Sequence, residues 1–310
     1  MRVLITGAGG TLGQALTPLL ADAGHEPVLF DIAPIESSHE VIIGDMRRLA
    51  DVRRAVEGAE MVVHAAAIHG IHLRDHSAVE PPEISAQDFY ELNLTGTFNA
   101  WEAAVGAGVR GFVFSSTMGV YGHSGRPQRD DDVVALHEDM PLEPGDIYGY
   151  TKVAGEEMCR YYVRRYGIPS VGLRYGMFVP EPFFRDGIRL LYGGVGADDV
   201  AAGVIAAVDA LAARRFSWDA FNVHSLVPFT PEDGPQLRRD PLEVVDRYYP
   251  GAGDLLQERG VPRLNPILSY FPMSRAEERL GFRPQRNFDR WLDDLRSRPD
   301  ERAPASAPWW

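Results

Sequence analysis

The sequence predicts an α/β protein, a doubly wound parallel sheet with a smaller C-terminal α/β lobe, and three observations carry that expectation. Short apolar runs alternate with amphipathic helical patterns from residue 2 to residue 175. Three glycines, Gly7, Gly10 and Gly13, fall between the first strand and the first helix. Beyond Gly176 the regular alternation gives way to a segment marked by glycines and prolines. Alternation of this kind builds right-handed strand-helix-strand units and hence a parallel sheet.

Each element follows from its residues. Runs rich in branched apolar side chains at Arg2 to Thr6, Pro27 to Asp31, Glu40 to Ile43, Met61 to Ala65, Gly111 to Ser115 and Ser170 to Arg174 are the six strands of the first part. Helical periodicity fills Leu12 to Ala23 and Ala50 to Glu57, and two longer helices, Ala86 to Ala107 and Tyr148 to Tyr166, follow the fourth and fifth strands. A helix at Asp198 to Ala213 and a strand at Phe221 to Val223 resume the pattern, after which Pro228, Pro231, Pro241 and Pro250 break the chain into short helices. The expected division is therefore a sheet domain over 1–175, with 198–225 returning to it, and a lobe built from 176–197 and 226–300. Residues 301–310 read as a tail, with Trp309 and Trp310 as a possible anchor. No internal repeat is present.

Composition narrows the function classes. At 310 residues, one large α/β unit with an appended lobe is favoured over several modules. The formal charge of −13, with no basic block, argues against nucleic acid or an anionic membrane as partner and favours a small molecule. A single cysteine, Cys159, excludes an internal disulfide framework and a thiolate-rich zinc site, which fits a reducing cytoplasm. Cys159 itself reads as buried packing, because no base pattern surrounds it. No apolar run is long enough to span a bilayer, so an intracellular protein is expected.

The chemistry-bearing residues come in order along the chain. Gly7, Gly10 and Gly13 at a strand-to-helix turn allow a pyrophosphate to approach a helix N-terminus. Asp31, at the end of the second strand, can accept hydrogen bonds from both ribose hydroxyls and repels a 2′-phosphate, which favours NAD over NADP. Asp45 ends the third strand, near where an adenine would lie, and also suits a helix N-cap. Tyr148 and Lys152 are four apart on one helix and share a face, so an ammonium can favour the phenolate. A free tyrosine titrates near pH 10, so work as a base near neutrality asks for roughly 4 kcal/mol of phenolate stabilisation. Thr117, at the end of the fifth strand, can orient a substrate oxygen toward Tyr148.

Taken together, Gly7/Gly10/Gly13, Asp31, Gly44-Asp45, His64-Ala65-Ala66-Ala67, Asn93, Ser115-Ser116-Thr117 with Val120-Tyr121-Gly122, Tyr148/Lys152 and Leu173-Arg174-Tyr175 resemble the extended short-chain dehydrogenase/reductase family, in its NAD-dependent epimerase/dehydratase branch. The likeness runs over roughly residues 1 to 225. It implies a Rossmann domain that holds NAD through Gly7, Gly10, Thr11, Leu12, Gly13, Asp31, Asp45, Met46, Ala65, Ala66, Asn93, Tyr148, Lys152 and Tyr175. It also implies Tyr148 as acid/base, Lys152 lowering its pKa and holding the nicotinamide ribose, and Thr117 on the reacting oxygen. Asn93 would belong to the helix that supports the proton path. By the same resemblance a homodimer would pair the helices at Ala86 to Ala107 and Tyr148 to Tyr166, with Tyr161, Tyr162 and Tyr166 as apolar area.

The reaction divides the family. Dehydratases carry an acid directly after the catalytic Thr or Ser, and here Met118 and Gly119 stand there, which disfavours dehydration. The Ser-Ser-Thr-x-x-Val-Tyr-Gly pattern resembles 4-epimerases of sugars or nucleotide sugars, the reading the motif favours. Against it, only about two dozen residues separate Arg174 from Asp198-Asp199-Val200, where nucleotide-sugar enzymes insert a longer segment. The stretch Leu173 to Pro182 is instead similar to uronate dehydrogenases, whose short loop sets an arginine on a sugar carboxylate. Arg185 or Arg189 could serve so, the other reading of each being a solvated surface arginine, and Met118 would border the substrate. A dehydrogenase of a free sugar, uronic acid or cyclitol is thus the alternative, and a non-catalytic NAD-binding regulator the alternative of another class.

His69, His72 and His76 follow the fourth strand without the spacing of a helical metal pair, so they read as a loop lining the substrate cleft and no metal is expected. Asp130-Asp131-Asp132 reads as a solvated loop, and Glu138 as part of the approach to the tyrosine helix.

Overall fold

A computed structural model describes residues 1–69 and 84–304. Seven strands form one parallel sheet: β1 (Arg2–Thr6), β2 (Glu26–Asp31), β3 (Glu40–Ile43), β4 (Met61–His64), β5 (Gly111–Thr117), β6 (Ser170–Tyr175) and β7 (Trp218–Val223), in the spatial order β3-β2-β1-β4-β5-β6-β7. The register aligns Ile5 with Leu29 and Val63, and Thr117 with Tyr175. Strand order reverses between β1 and β4, which opens a crevice at the carboxyl ends of those strands, the usual ligand position of a doubly wound sheet.

Side-chain alternation along the strands decides which helices cover which face. Val3, Ile5, Val63, Val113, Val171 and Phe221 point to one face and pack with Leu12, Leu16 and Leu20 of α1 (Thr11–Asp22) and with Val200, Val204 and Val208 of α6 (Ala197–Ala212, numbered in chain order below). Leu4, Val28, Phe30, Val62, Phe112 and Phe114 point to the other and pack with α2 (Leu49–Val56), α3 (Ala86–Ala107) and α4 (Ile147–Tyr166). Trp101 of α3 lies stacked between Phe112 and Tyr162, at 4.0 and 4.9 Å. This is a Rossmann-like α/β fold. The helix α3 is a single rod interrupted by a π turn at Tyr90–Thr95, which the periodicity of the sequence did not reveal.

A third apolar cluster gathers Phe184, Ile188, Leu237, Val245, Leu256, Phe288 and Trp291. It is built from α5 (Phe183–Arg189), α7 (Gly234–Arg239), α8 (Pro241–Tyr248), α9 (Ala252–Glu258) and α11 (Phe288–Arg296), while α10 (Ser274–Leu280) packs on the sheet side. Two-residue strands at Val134–Ala135 (β8) and Ser269–Tyr270 (β9) pair in parallel and tie the segment after β5 to the C-terminal part. Asp199 turns its carboxylate away from any cleft, accepting the backbone N–H of Gln285 and Arg286 at 2.7 and 2.8 Å.

Candidate active site

The crevice between β1 and β4 is built by backbone contact. Gly7 has φ +70°, and a Cβ there would lie 2.6 Å from Ala66 Cα, so only glycine lets the two loops pass. Gly10 caps α1 with no side-chain hydrogen bond, leaving the N–H groups of its first turn, from Thr11 and Leu12 onward, available to an anion. Gly13 is small for another reason: a Cβ there would reach within 2.5 Å of Ala8 Cα, so its role is to seat α1 on the loop. Leu12 likewise sends its side chain into the core.

The Asp31 carboxylate stands at the rim, where Oδ2 accepts the Gly9 N–H at 2.9 Å and Oδ1 accepts that of Ala33 at 3.1 Å. Opposite it, Asp45 accepts the Arg47 N–H at 2.9 Å and chelates the Arg47 guanidinium, which holds its carboxyl below the usual carboxylate range. Asn99 anchors this turn by donating to the Met46 carbonyl at 2.9 Å. The resulting cavity of about 860 Å³ is lined by Gly7, Gly10, Asp31, Asp45, Met46, Ala65 and Ala66 among others. An anion-binding helix end, a carboxylate on the rim and this volume fit a dinucleotide. Of the residues expected to hold the cofactor, Thr11, Leu12, Gly13, Asn93, Tyr148, Lys152 and Tyr175 do not line that cavity: Asn93 is a buried brace, and Tyr175 is buried with its hydroxyl 3.4 Å from Ser115 Oγ.

Beside the crevice, the C-terminal end of β5 meets the N-terminal end of α4. Asp146 caps α4 by accepting the Gly149 N–H at 2.7 Å, which sets Tyr148 in the first turn and Lys152 one turn on. Two glycines bring helix and strand close: a Cβ at Gly149 would sit 2.8 Å from the Gly119 carbonyl oxygen, and one at Gly155 would overlap the Phe114 ring. As a result the Thr117 hydroxyl stands beside Tyr148, and Lys152 Nζ donates to the Ser115 carbonyl at 2.8 Å while standing 5.7 Å from the Tyr148 ring centroid. The tyrosine is flanked by His69 at 5.2 Å and Phe89 at 6.4 Å between ring centroids.

Burial governs the protonation of this set. It pushes the Tyr148 phenol upward, opposed by the neighbouring Thr117 hydroxyl, and pushes Lys152 down to about 7. The Lys152 ammonium, expected to lower the Tyr148 pKa, is not among the groups that set it in the protein alone, where burial is the largest cause. When bound, oxidised nicotinamide supplies the hydride acceptor and a further positive charge.

Behind the tyrosine helix lies an ion pair with no solvent contact. Arg174 donates to Glu156 through Nε at 3.0 Å and Nη2 at 2.8 Å, with 1% and 0% of the two side chains exposed. Ser116 donates to the same carboxylate at 2.6 Å, and Arg174 Nη1 reaches the Tyr121 hydroxyl and the Glu138 carbonyl. Tyr121 in turn donates to Asn222 at 2.7 Å, whose N–H meets Glu138 Oε1. Glu138, expected on the approach to the tyrosine helix, is therefore part of a buried brace.

On the substrate side, Met118 opens the turn after Thr117 and is partly buried. Arg189 is not a solvated surface arginine: it is 2% exposed, donates to the Val179 carbonyl at 2.6 Å and pairs with Asp186. Arg185 is 38% exposed and lies 3.5 Å from Glu181. His72, His76, Trp309 and Trp310 fall outside the described residues, and among the described residues no group of three His, Cys, Asp or Glu could hold a metal. His64, present in the sequence reading only within His64-Ala65-Ala66-Ala67 and given no role there, is a buried histidine ending a parallel strand at the crevice.

Fold and site together define an NAD-dependent enzyme of the hydride-transferring α/β class. The chain belongs to the NAD-dependent epimerase/dehydratase family, whose model matches residues 3–181. It is 29% identical over 257 residues to the uronate dehydrogenase of Pseudomonas syringae pv. tomato, covering 78% of this chain and 86% of that protein. It is 30% identical over 182 residues to the UDP-glucose 4-epimerase of Corynebacterium glutamicum, covering 56% of this chain and 50% of that protein. In fold it is similar to a short-chain dehydrogenase/reductase superfamily protein from Agrobacterium tumefaciens crystallised with bound NAD, with a TM-score of 0.71, 20% identity and 96% of each chain covered. Among the described residues no helix is long and apolar enough to cross a membrane.

Proposed function

We propose that the protein is an NAD-dependent dehydrogenase that oxidises a hydroxyl carbon of a free sugar or sugar acid, with Tyr148 as acid/base. The observation that carries this reading is that Thr117 and Lys152 stand beside Tyr148 where β5 ends against α4, on the strand next to the crevice that fits a dinucleotide. Thr117 orients the substrate hydroxyl, Tyr148 takes its proton, and Lys152, anchored on the Ser115 carbonyl, holds the nicotinamide ribose and favours the phenolate. Met118 and His69 border the substrate oxygen. The lobe of 176–197 and 226–300 closes over the substrate, and Arg185, which pairs with Glu181 but keeps its side chain 38% exposed, is a better-placed candidate for a carboxylate than the buried Arg189.

The short segment between β6 and α6, and an alignment that spans most of a uronate dehydrogenase but half of a 4-epimerase, support the small substrate. A 4-epimerase is the second reading, favoured by Ser115-Ser116-Thr117 with Val120-Tyr121-Gly122. Incubation with NAD and a panel of uronic acids, aldoses and UDP-sugars separates them. Steady growth of reduced-nicotinamide absorbance with a free sugar is the expected result; an epimerised UDP-sugar with no net absorbance change would replace it with the second reading.

We also propose a homodimer through α3 and α4, supported by the exposed Phe98, Tyr150 and Tyr161, which with Met158 line a shallow apolar hollow on those helices.

A further inference from the structure

We propose that His64 is a positioning residue: its imidazole joins the end of β1, at the dinucleotide loop, to the brace that sets the tyrosine helix, through hydrogen bonds whose direction is fixed. The inference rests on the catalytic reading of Tyr148 given above. His64 is 2% exposed, with Nδ1 2.8 Å from Thr6 Oγ1 and Nε2 3.0 Å from Thr97 Oγ1.

Proton counting assigns every bond. The Thr97 hydroxyl donates to the Asn93 carbonyl at 2.5 Å, so its oxygen must accept from His64, which places the histidine proton on Nε2. Nδ1 is then an acceptor and takes the Thr6 hydroxyl proton, while Thr6 Oγ1 accepts the Ala66 N–H at 3.2 Å. A single chain of donation runs from Ala66 through Thr6, His64 and Thr97 to Asn93. From Asn93 the side chain continues it: Oδ1 accepts the Ile68 N–H at 2.8 Å, and Nδ2 donates to the Ile68 carbonyl and to Thr151 Oγ1, both at 3.1 Å. Thr151 in turn donates to the Tyr148 carbonyl at 2.7 Å. Ile68 precedes His69, whose ring flanks Tyr148.

The arrangement requires a neutral ring. Protonation at Nδ1 would remove the acceptor of the Thr6 proton, and it would add a charge in a buried site facing Lys152. The other groups packed on the ring are Phe112 and Phe114, at 5.9 and 6.1 Å, with Thr6 and Thr97, none of them charged. No carboxylate among these neighbours compensates an imidazolium, and burial with Lys152 holds the ring down to about 3. Neutrality keeps the linkage intact across the working pH range, so the distance from crevice to base stays constant while Lys152 titrates.

The test uses the full-length protein. Nitrogen-15 imidazole spectra of the wild type should show His64 as the neutral Nε2–H tautomer from about pH 5 to about pH 8. An Nδ1–H tautomer, or titration near the ordinary histidine value, would overturn the assignment whether or not a substrate is known. With a turned-over sugar in hand, Thr97→Val and His64→Phe should lower kcat on the order of tenfold or more with KM and NAD affinity little changed. His64→Gln, whose amide nitrogen replaces Nε2, should recover most of kcat. Variants that melt earlier but keep the wild-type kcat per folded molecule would make His64 merely structural and sink the proposal. Absence of any turnover by the wild type would count against the enzyme reading alone, and the tautomer would then decide the linkage.

Discussion

Tyr148 sits where burial raises its phenol and the neighbouring Thr117 hydroxyl lowers it, so the chain's own groups leave it protonated until more positive charge stands beside Lys152. Removing the hydroxyl with Tyr148→Phe should cut kcat by roughly 10²-fold or more while a fluorescence titration finds NAD affinity nearly unchanged; full residual turnover would exclude this phenol as the base. Lys152 gives a second test. Its ammonium is lowered from 10.5 to about 7, so between those values the unfolded chain binds a proton that the folded chain has released. The stability this group contributes is therefore present above the unfolded value and lost as pH falls through the folded one. Lys152→Met should flatten that part of the pH dependence of the ligand-free denaturation midpoint, and identical slopes in both proteins would mean that the amine is not desolvated. Tyr148, Lys152, Asp31 and the glycines were legible because each depends on local spacing; the opposing desolvation of Tyr148 was not, because it depends on what packs around the ring.

At the scale of elements, α4 is held by both its ends and its middle. Asp146 fixes its start, Gly149 and Gly155 permit its close approach to β5, and Glu156 locks it to β6 through Arg174. Removing one partner of a buried pair leaves an uncompensated charge, so Glu156→Ala should cost about 3–5 kcal/mol in denaturant unfolding; a loss no larger than that of a surface pair would show that water reaches Arg174. The strands and long helices could be read from the sequence because their periodicity is strong, and β5 and β6 run only one or two residues beyond their expected ends. The π turn at Tyr90–Thr95 left no such trace, since one inserted residue shifts the helical phase without changing composition. Helix α5 and the pair β8–β9 also escaped it: the strands are two residues long, and their partners lie far apart in sequence. Neither role open to Arg189 in the sequence, a carboxylate ligand or a solvated surface arginine, foresaw its burial, because only the third dimension brings Asp186 and the Val179 carbonyl around it.

At the scale of the molecule, the charge of −13 and the apolar hollow on α3 and α4 act in opposite senses, one repelling copies of the chain and the other inviting contact. If the hollow pairs two copies, Tyr161→Asp should convert a sedimenting dimer to monomer with the far-ultraviolet spectrum unchanged, and a wild-type monomer at micromolar concentration would refute the pairing. The β8–β9 ribbon has a different bearing, on how the enzyme is made. A ribosome has released every residue of the hydride-handling set once Tyr175 has emerged, yet Val134–Ala135 cannot find its neighbour until Ser269–Tyr270 follows. At about 5–20 residues per second that leaves roughly 5–20 s in which the nascent chain carries its reactive groups without the strap beside them. The bracing of the segment after β5 is therefore a late event of synthesis, and a message truncated ahead of Ser269 would lack both this ribbon and α10, which packs on the sheet side.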